Sequence, residues 1–447
     1  MTGRLFRRVE VAGRVVDVRT DRTRITEIGQ ELRPRDETVI DGGGGALIPG
    51  LHDHHLHLLA MAAARASVDL SEARTPEDLR QALATQAQTT PEGTWIRATG
   101  YHEAPDRPPL ERGFLDRCCP RHPVRVQHRG GALWVLNSSA LAQVPLDDSP
   151  DVDRGPDGAP TGRLFRYDER LRGRLPREAP DLAAVGAELN RLGLTRVTDA
   201  TPDLDPAAIG LLTDAVRTGR LPVELTLLGA PTAPPPAGFR LGPEKLLLPD
   251  HRLPPFDELC ARVEAAHAHG RAVAVHCVTR ESLILTLAAL DQSGPLAGDR
   301  IEHCAVAPPD LYPRLQNRTV VTQPAFLRDR GDDYRREVHP DDVPWLYPYR
   351  SLLDAGVEVL PSSDAPFGPL DPWQVLRCAR DRTTRDGHRL GAGEAVETRV
   401  ALAGYVRGRT VEVGQPADLV LLHEPLRAAL RDPDAALVRT TFGPAPR

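Results

Sequence analysis

From residue 194 onward, short apolar segments alternate with amphipathic ones about every 25–35 residues. The apolar segments predict strands over 194–199, 223–228, 245–248, 272–277, 300–305, 320–323 and 357–361. Helices are predicted between them, over 206–217, 256–269 and 280–290. This alternation is typical of parallel βαβ units, and 447 residues accommodate one barrel of eight such units with insertions. We therefore predict an α/β fold of the (β/α)8 TIM-like barrel type.

The two ends of the chain follow a different pattern. Residues 4–40 alternate short β-like runs with polar turns, and 410–422 are β-like again. We predict that 1–50 and 396–447 form one small composite β-sandwich domain in which both ends share a sheet, and that 51–395 form the barrel. Residues 101–185 are rich in Pro, Gly, Arg and Asp, which predicts a loop insertion that contributes substrate contacts.

Bulk composition excludes several functional classes. A net charge of -6 argues against binding to nucleic acid or to an anionic membrane. No uncharged run approaches the roughly 18 residues that span a bilayer, and the first residues lack the apolar core of a signal peptide. Six cysteines in so long a chain do not form a disulfide framework, so we expect reduced thiols and a cytoplasmic location. The expected partner is a small-molecule substrate; a homodimer stays open.

Lys245 is the only lysine among 56 basic side chains; the other 55 are arginines. Arginine cannot replace lysine where a side-chain amine must lose its proton and react. A biased base composition could also leave one lysine by chance. The surrounding pattern favours a reactive amine, because Lys245 lies one predicted βα repeat before His276.

Four histidines lie between residues 52 and 57, at the end of an apolar run. In a strand, residues i and i+2 point the same way, so His55 and His57 could bind one ion. His52 and His54 form a competing pair with the same spacing. Solvated loop histidines are the third interpretation.

Metal-binding side chains also end three of the later strands. His276 and His303 are 27 residues apart, and Asp364 follows the strand two repeats beyond His303. The carboxyl ends of successive barrel strands converge on one site. Imidazoles with a carboxylate suit a divalent ion such as zinc, and the neutral amine of Lys245 could react with CO2 to give a carbamate that bridges two cations.

The motifs ALIPGLHDHHLH, VAVHCV, RIEHCAV and LPSSDAPFGPLDPW, together with Lys245, resemble the amidohydrolase superfamily. VRVQHRGGALWVLNSSAL, TGRLF, RLGLTRVTDA and GQPADLVLL resemble its amidohydrolase-3 branch of YtcJ-like proteins, which includes N-substituted formamide deformylases. The resemblance covers about residues 8–425 and favours the 55/57 register. It implies one ion on His55, His57 and Asp364, a second on His276 and His303, and carboxylated Lys245 between them. Family members vary between one and two ions.

The resemblance implies a metal-dependent hydrolase that cleaves an amide, N-formyl or cyclic amide C–N bond of a small molecule, with Asp364 transferring protons. An esterase, a lactonase or a deaminase on the same site is the alternative, and a non-catalytic binding barrel is a further one. The chain departs from the branch at 129–134 and 249–250, where substrate is held, which puts the family's substrates in doubt. The candidate substrate contacts are Arg129, Trp134, Gln323, Tyr347 and Tyr349.

Overall fold

The computed structural model describes residues 3–103, 109–167, 170–171, 175, 180–231, 239–249 and 252–444. The chain divides into two compact units. The first unit joins Met1–Leu58 to Leu182–Arg447, and the second unit is Leu59–Asp181. No helix within the described ranges is long and apolar enough to cross a membrane. The thiols of all six cysteines are free, as predicted.

The strands of the chain are numbered in order. They are β1 Arg4–Val11, β2 Arg14–Thr20, β3 Ile25–Gly29, β4 Thr38–Asp41, β5 Leu47–Pro49, β6 Leu51–Leu56, β7 Val68–Asp69, β8 Ile96–Tyr101, β9 Val124–His128, β10 Leu133–Leu136, β11 Val152–Arg154, β12 Pro160–Phe165, β13 Leu194–Asp199, β14 Glu224–Leu227, β15 Arg240–Leu241, β16 Glu244–Leu246, β17 Val273–Cys277, β18 Arg300–His303, β19 Thr319–Thr322, β20 Glu358–Pro361, β21 Leu419–Leu422 and β22 Val438–Phe442.

Helices separate most of these strands. They are Leu58–Arg65, Pro76–Thr89, Arg112–Cys118, Ser138–Leu141, Leu182–Arg191, Pro206–Arg217, Phe256–Ala268, Arg280–Ser293, Tyr312–Leu315, Ala325–Glu337, Tyr349–Asp354, Pro372–Asp381, Thr398–Val406 and Leu426–Ala429.

Two parallel sheets organise the first unit. One has the strand order β15-β14-β13-β6 and the other runs β16-β17-β18-β19-β20. Every pairing within both sheets is parallel. Parallel strands need crossover connections, which the intervening helices supply, so the predicted α/β class is confirmed.

Backbone hydrogen bonds join residues of the two parallel sheets at two places. At one of them the Lys245 amide of β16 donates over 3.3 Å to the carbonyl of Leu228, which directly follows β14. At the other the Asp364 amide donates to the His55 carbonyl over 2.8 Å, and the His57 amide donates to the Ala365 carbonyl over 2.8 Å. The carboxyl ends of β6 and β20 are therefore held side by side.

The two ends of the chain share a sheet through β5 and β21, whereas the strands between residues 4 and 41 lie in a separate sheet and, contrary to expectation, do not pair with β21. β1 to β4 form a sheet of order β3-β2-β1-β4, and β21 pairs with β22 and β5. Their apolar faces form one cluster that includes Phe6, Val18, Leu419 and Leu421. Two sheets can bury their apolar faces against each other by stacking. Stacking does not require hydrogen bonds between a strand of one sheet and a strand of the other.

The second unit contains a sheet where we expected loops. Its six strands have the order β11-β12-β10-β9-β8-β7, and four of them fall between residues 101 and 185. Arginines on these strands weaken the apolar alternation of the sequence, yet they pack in the structure. The guanidinium groups of Arg97 and Arg125 lie 5.4 and 5.3 Å from the Trp134 ring. Cation–π stacking of this kind lets a charged residue cover an apolar face.

Gly50, between β5 and β6, is a position where a side chain does not fit. A Cβ there would lie 2.0 Å from Thr195 Oγ1 and 2.5 Å from Thr195 Cγ2. We expect Gly50→Ala to lower the free energy of unfolding by about 1–3 kcal/mol through overpacking. Gly210→Ala is the control, because a Cβ at this helical position meets nothing within 4 Å and alanine should stabilise the helix by about 0.5–1 kcal/mol. Urea unfolding gives the free energy of unfolding of both variants. Equal changes in the two would contradict the close contact between Gly50 and Thr195.

Candidate active site

The end of β6 places its histidines on two faces. The rings of His52 and His54 lie 3.9 Å apart, and their Nε2 atoms bond Thr198 Oγ1 and the Gly404 carbonyl at 2.9 and 3.0 Å. His55 and His57 lie on the opposite face, where each Nε2 approaches Asp364 Oδ1, at 3.5 and 3.1 Å. Only the 55/57 pair therefore faces a third metal-binding group among the described residues.

His303 and Asp364 reach the site through left-handed backbone conformations. Their φ angles are +66° and +55°. Alternation along β18 puts Arg300 and Glu302 on the same face and would put His303 on the other. The positive φ turns the His303 ring back, so that its centroid lies 4.5 Å from that of His276 and 4.9 Å from that of His55. Such angles are uncommon outside glycine, and histidine and aspartate are enriched among the exceptions.

Three buried side chains form a group that can hold a metal ion. Ligand atoms of His55, His303 and Asp364 all lie within 4.8 Å of one another. His57 bonds Asp364, and His276 packs edge-on against His303. The structure thus brings together five of the six predicted ligands through direct contacts.

Lys245, the sixth predicted ligand, is buried on β16 with 6 % of its surface exposed. It pairs in register with Ala274 on β17, two residues before His276 on the same face. Its Nζ has no hydrogen-bond partner within the described part of the chain. Burial lowers the pKa of Lys245, since the charged ammonium is poorly solvated there. The neutral, reactive form of the amine is therefore easier to reach here than in an exposed lysine.

Electrostatics favour neutral imidazoles at His55 and His303 and a charged carboxylate at Asp364. Burial lowers the pKa of His55 to about 4, helped by the nearby Lys245, and burial also lowers the pKa of His303. For Asp364, burial opposes ionisation, but the hydrogen bond with His57 and the neighbouring imidazoles outweigh it, so its pKa lies below the usual range. Neutral imidazole and ionised carboxylate are the forms that bind a metal.

Three histidines of the site have a hydrogen-bond partner at Nδ1. Two of these partners were not predicted from the sequence, and the third was predicted to contact substrate instead. His55 Nδ1 hydrogen-bonds Glu302 Oε2. His57 Nδ1 lies 3.1 Å from Thr201 Oγ1, and His303 Nδ1 lies 2.8 Å from Gln323 Oε1. Each contact leaves Nε2 as the atom available to a ligand. The available sequence signal for Glu302 was a glutamate directly before His303, inside a predicted strand.

The predicted substrate contacts fall in different settings. Gln323 is fully buried between His303 and Ser362, so it supports a histidine. Tyr347 and Tyr349 are also buried, and the Tyr347 hydroxyl lies 3.3 Å from that of Tyr334. Trp134 is buried in the second unit. The Arg129 amide bonds the Tyr101 carbonyl at 2.6 Å in that same unit. Their contact with substrate stays a prediction.

Comparison with known proteins agrees with this geometry. The sequence model described as the amidohydrolase family matches residues 38–442. The chain belongs to this family. It is therefore an amidohydrolase, a class of hydrolases that act on C–N bonds.

Individual relatives of this amidohydrolase are distant. It is 24% identical over 486 aligned positions to an N-substituted formamide deformylase of Arthrobacter pascens, covering 92% of this chain and 88% of the relative. It is 23% identical to YtcJ of Bacillus subtilis (strain 168), described as an amidohydrolase, covering 82% and 79%. A solved structure of an uncharacterized metal-dependent hydrolase from Pyrococcus horikoshii OT3 has a TM-score of 0.73 at 20% identity, covering 98% of each chain. At this level of sequence identity, the likeness shows that the two proteins share a fold.

Proposed function

We propose that this amidohydrolase uses two divalent ions, zinc by preference, to hydrolyse an amide, N-formyl or cyclic amide bond of a small molecule. The observation that carries the proposal is the buried group of His55, His303 and Asp364, whose ligand atoms lie within 4.8 Å of one another. We further propose that β6, β13, β14 and β16 to β20 form one closed eight-stranded barrel. The backbone hydrogen bonds that join residues of the two sheets at two places support this closure.

The donor set fits zinc. Neutral imidazole nitrogens and a carboxylate oxygen are its usual ligands. His55, His57 and Asp364 would hold one ion and His276 and His303 the other. Ions bound there would supply an acidified water and would polarise the scissile carbonyl.

Lys245 is proposed to bridge the two ions as a carbamate. Its neutral Nζ would attack the carbon of CO2 and lose one proton, which leaves an N-carboxylate with one negative charge. The support is the burial of Nζ without a hydrogen-bond partner in the described residues, next to the face that carries His276. A carboxylate at the end of this side chain would replace a buried amine with a group that has one N–H and two acceptor oxygens, and divalent ions prefer such oxygens.

Asp364 is proposed to move the proton of the reaction. Its Oδ1 faces both His55 and His57 and stays ionised. From there it would take a proton from the attacking water and deliver it to the nitrogen of the leaving amine. The backbone bond from the Asp364 amide to the His55 carbonyl fixes the carboxylate for this transfer.

Apolar side chains beside the site support a proposal about the kind of substrate. The Phe367 ring lies 5.4 Å from that of His57, and Arg330 donates to the Phe367 carbonyl at 2.8 Å. Partly buried Val278, Trp345 and Phe367 pack on a buried cluster that includes Phe326. Ligand sites that combine such walls with a few polar groups bind molecules that carry an apolar portion. We propose that an apolar substituent flanks the scissile C–N bond.

Metal content and a substrate panel test this function. Protein from cells grown with zinc and bicarbonate should contain about two ions per chain. The panel contains N-formyl amines with apolar substituents, acetamide, cyclic amides, esters and a ring amine. We expect N-formyl amines with apolar substituents to exceed acetamide in kcat/KM by about tenfold or more, because each buried methylene contributes to discrimination.

The controls separate the outcomes. His303→Ala should lose zinc, whereas His122→Ala, which changes a buried histidine of the second unit, should retain it. Hydrolysis confined to esters would overturn the proposal in favour of an esterase. Ammonia release from the ring amine with one ion per chain would favour a deaminase. Protein without bound zinc and without activity would overturn the metal site itself.

A further inference from the structure

Glu302 lies in β18 with none of its surface exposed, directly before His303. Its two carboxylate oxygens have different partners. Oε1 accepts from Arg300 Nε, and Oε2 hydrogen-bonds His55 Nδ1. An ionised carboxylate has only acceptor oxygens, so the proton of the second bond has to come from His55 Nδ1. A buried carboxylate of this kind is stable because each of its oxygens is satisfied.

Arg300 extends the contact to the backbone of β6. Its Nη2 donates to the His54 carbonyl at 2.8 Å. β18 and β6 belong to different parallel sheets. Arg300 therefore holds the backbone of β6 at His54, and Glu302 holds the ring of His55. Both contacts come from the other parallel sheet.

We infer that Arg300 and Glu302 form a clamp that holds His55 with its proton on Nδ1, so that Nε2 is the atom presented to the metal ion. Glu302 is a positioning residue in this clamp and does not touch the ion. The inference rests on the proposed metal site. The clamp requires a carboxylate at position 302, because this side chain has to accept hydrogen bonds from Arg300 and His55 at once.

Glu302→Gln is the sharpest change, because it preserves shape and removes one acceptor. Glutamine has one acceptor oxygen and one donor nitrogen. Arg300 can only donate, so it takes the oxygen, and the amide nitrogen then faces His55 Nδ1. His55 must accept that bond on Nδ1 and carry its proton on Nε2, the atom that should bind the ion. The substitution therefore favours the tautomer that cannot bind metal.

The measurement is zinc affinity, with Zn²⁺ alone as the probe and a competing chromophoric chelator. We expect Glu302→Gln to weaken zinc binding by about 10–100-fold, the usual effect of removing a partner of a metal-binding histidine. Asp299→Asn is the matched control. Asp299 is a buried carboxylate that bonds His267 Nε2 at 3.0 Å and lies just before β18. Its variant should bind zinc as the wild type does.

Two further results keep the inference testable if Glu302→Gln folds poorly. Glu302→Asp retains both acceptors and should recover part of the affinity. In wild-type protein labelled with ¹⁵N-histidine, NMR should show the His55 proton on Nδ1, with the signal assigned by His55→Gln. Unchanged zinc affinity in folded Glu302→Gln, or a His55 proton on Nε2, would overturn the clamp. A wild type that bound no zinc would overturn the proposed function, and the NMR result would still decide the tautomer.

Discussion

Asp364→Asn should lower kcat/KM by about 10³–10⁴-fold while leaving the fold intact. Asparagine has the shape of aspartate and tolerates the left-handed φ of +55° at this position. Its side chain can still hydrogen-bond His57 Nε2, as Asp364 Oδ1 does at 3.1 Å. It cannot accept the proton of the attacking water and is a weaker metal ligand, so the loss should appear in turnover. Steady-state kinetics on the fastest amide of the panel and denaturant unfolding measure the two effects.

Asp371→Asn is the matched control for this prediction. Asp371 caps the helix Pro372–Asp381 by accepting from the Trp373 amide, and asparagine caps helices equally well. The control variant should keep wild-type kcat/KM. Retention of more than a tenth of the activity by Asp364→Asn would contradict the proton-transfer role.

Lys245→Met should have opposite effects on stability and on metal content. The metal-free protein should gain about 1–3 kcal/mol in free energy of unfolding, because methionine removes a buried amine that has no partner in the described residues. The zinc content should fall from about two ions per chain to one or fewer, because the bridging carboxylate is lost. Chemical denaturation after chelation and elemental analysis of the untreated protein give the two values.

Lys245→Arg distinguishes the carbamate from a simple requirement for positive charge. Arginine keeps the charge but cannot lose a proton to react with CO2. It should lose zinc as the methionine variant does and should lower stability instead of raising it. Two ions per chain in either variant would contradict the carbamate bridge. A ¹³C carbamate signal from labelled bicarbonate should be present in the wild type and absent from both variants.

Regular elements were predictable where local signals agreed with tertiary packing. The predicted strand 194–199 and helix 206–217 match β13 and Pro206–Arg217 in the structure. The helix starts at the predicted residue because Asp205 caps it and Pro206 fits its first turn. The strand predicted over 300–305 ends at His303, since two consecutive positive φ angles terminate the extended backbone there.

The candidate site was only partly predictable for related reasons. The spacing of histidines along the strands predicts which side chains come together, because strand ends converge. It does not give the left-handed turns that aim His303 and Asp364, since these depend on contacts with other strands. Glu302 was missed because alternation places it on the face of Arg300, and a pair of charges in a strand usually indicates solvent.

The second unit follows His57 in the chain and has consequences for synthesis. His55 leaves the ribosome 309 residues before Asp364, the last residue of the proposed site. At translation rates of about 5–20 residues per second, roughly 15–60 s separate the two. The second unit has hydrophobic clusters of its own, so it can fold during this interval. If the proposed site binds metal ions, a nascent chain would complete it only after Asp364 has been synthesised, and a truncated chain that ends before β20 would lack one of the proposed ligands.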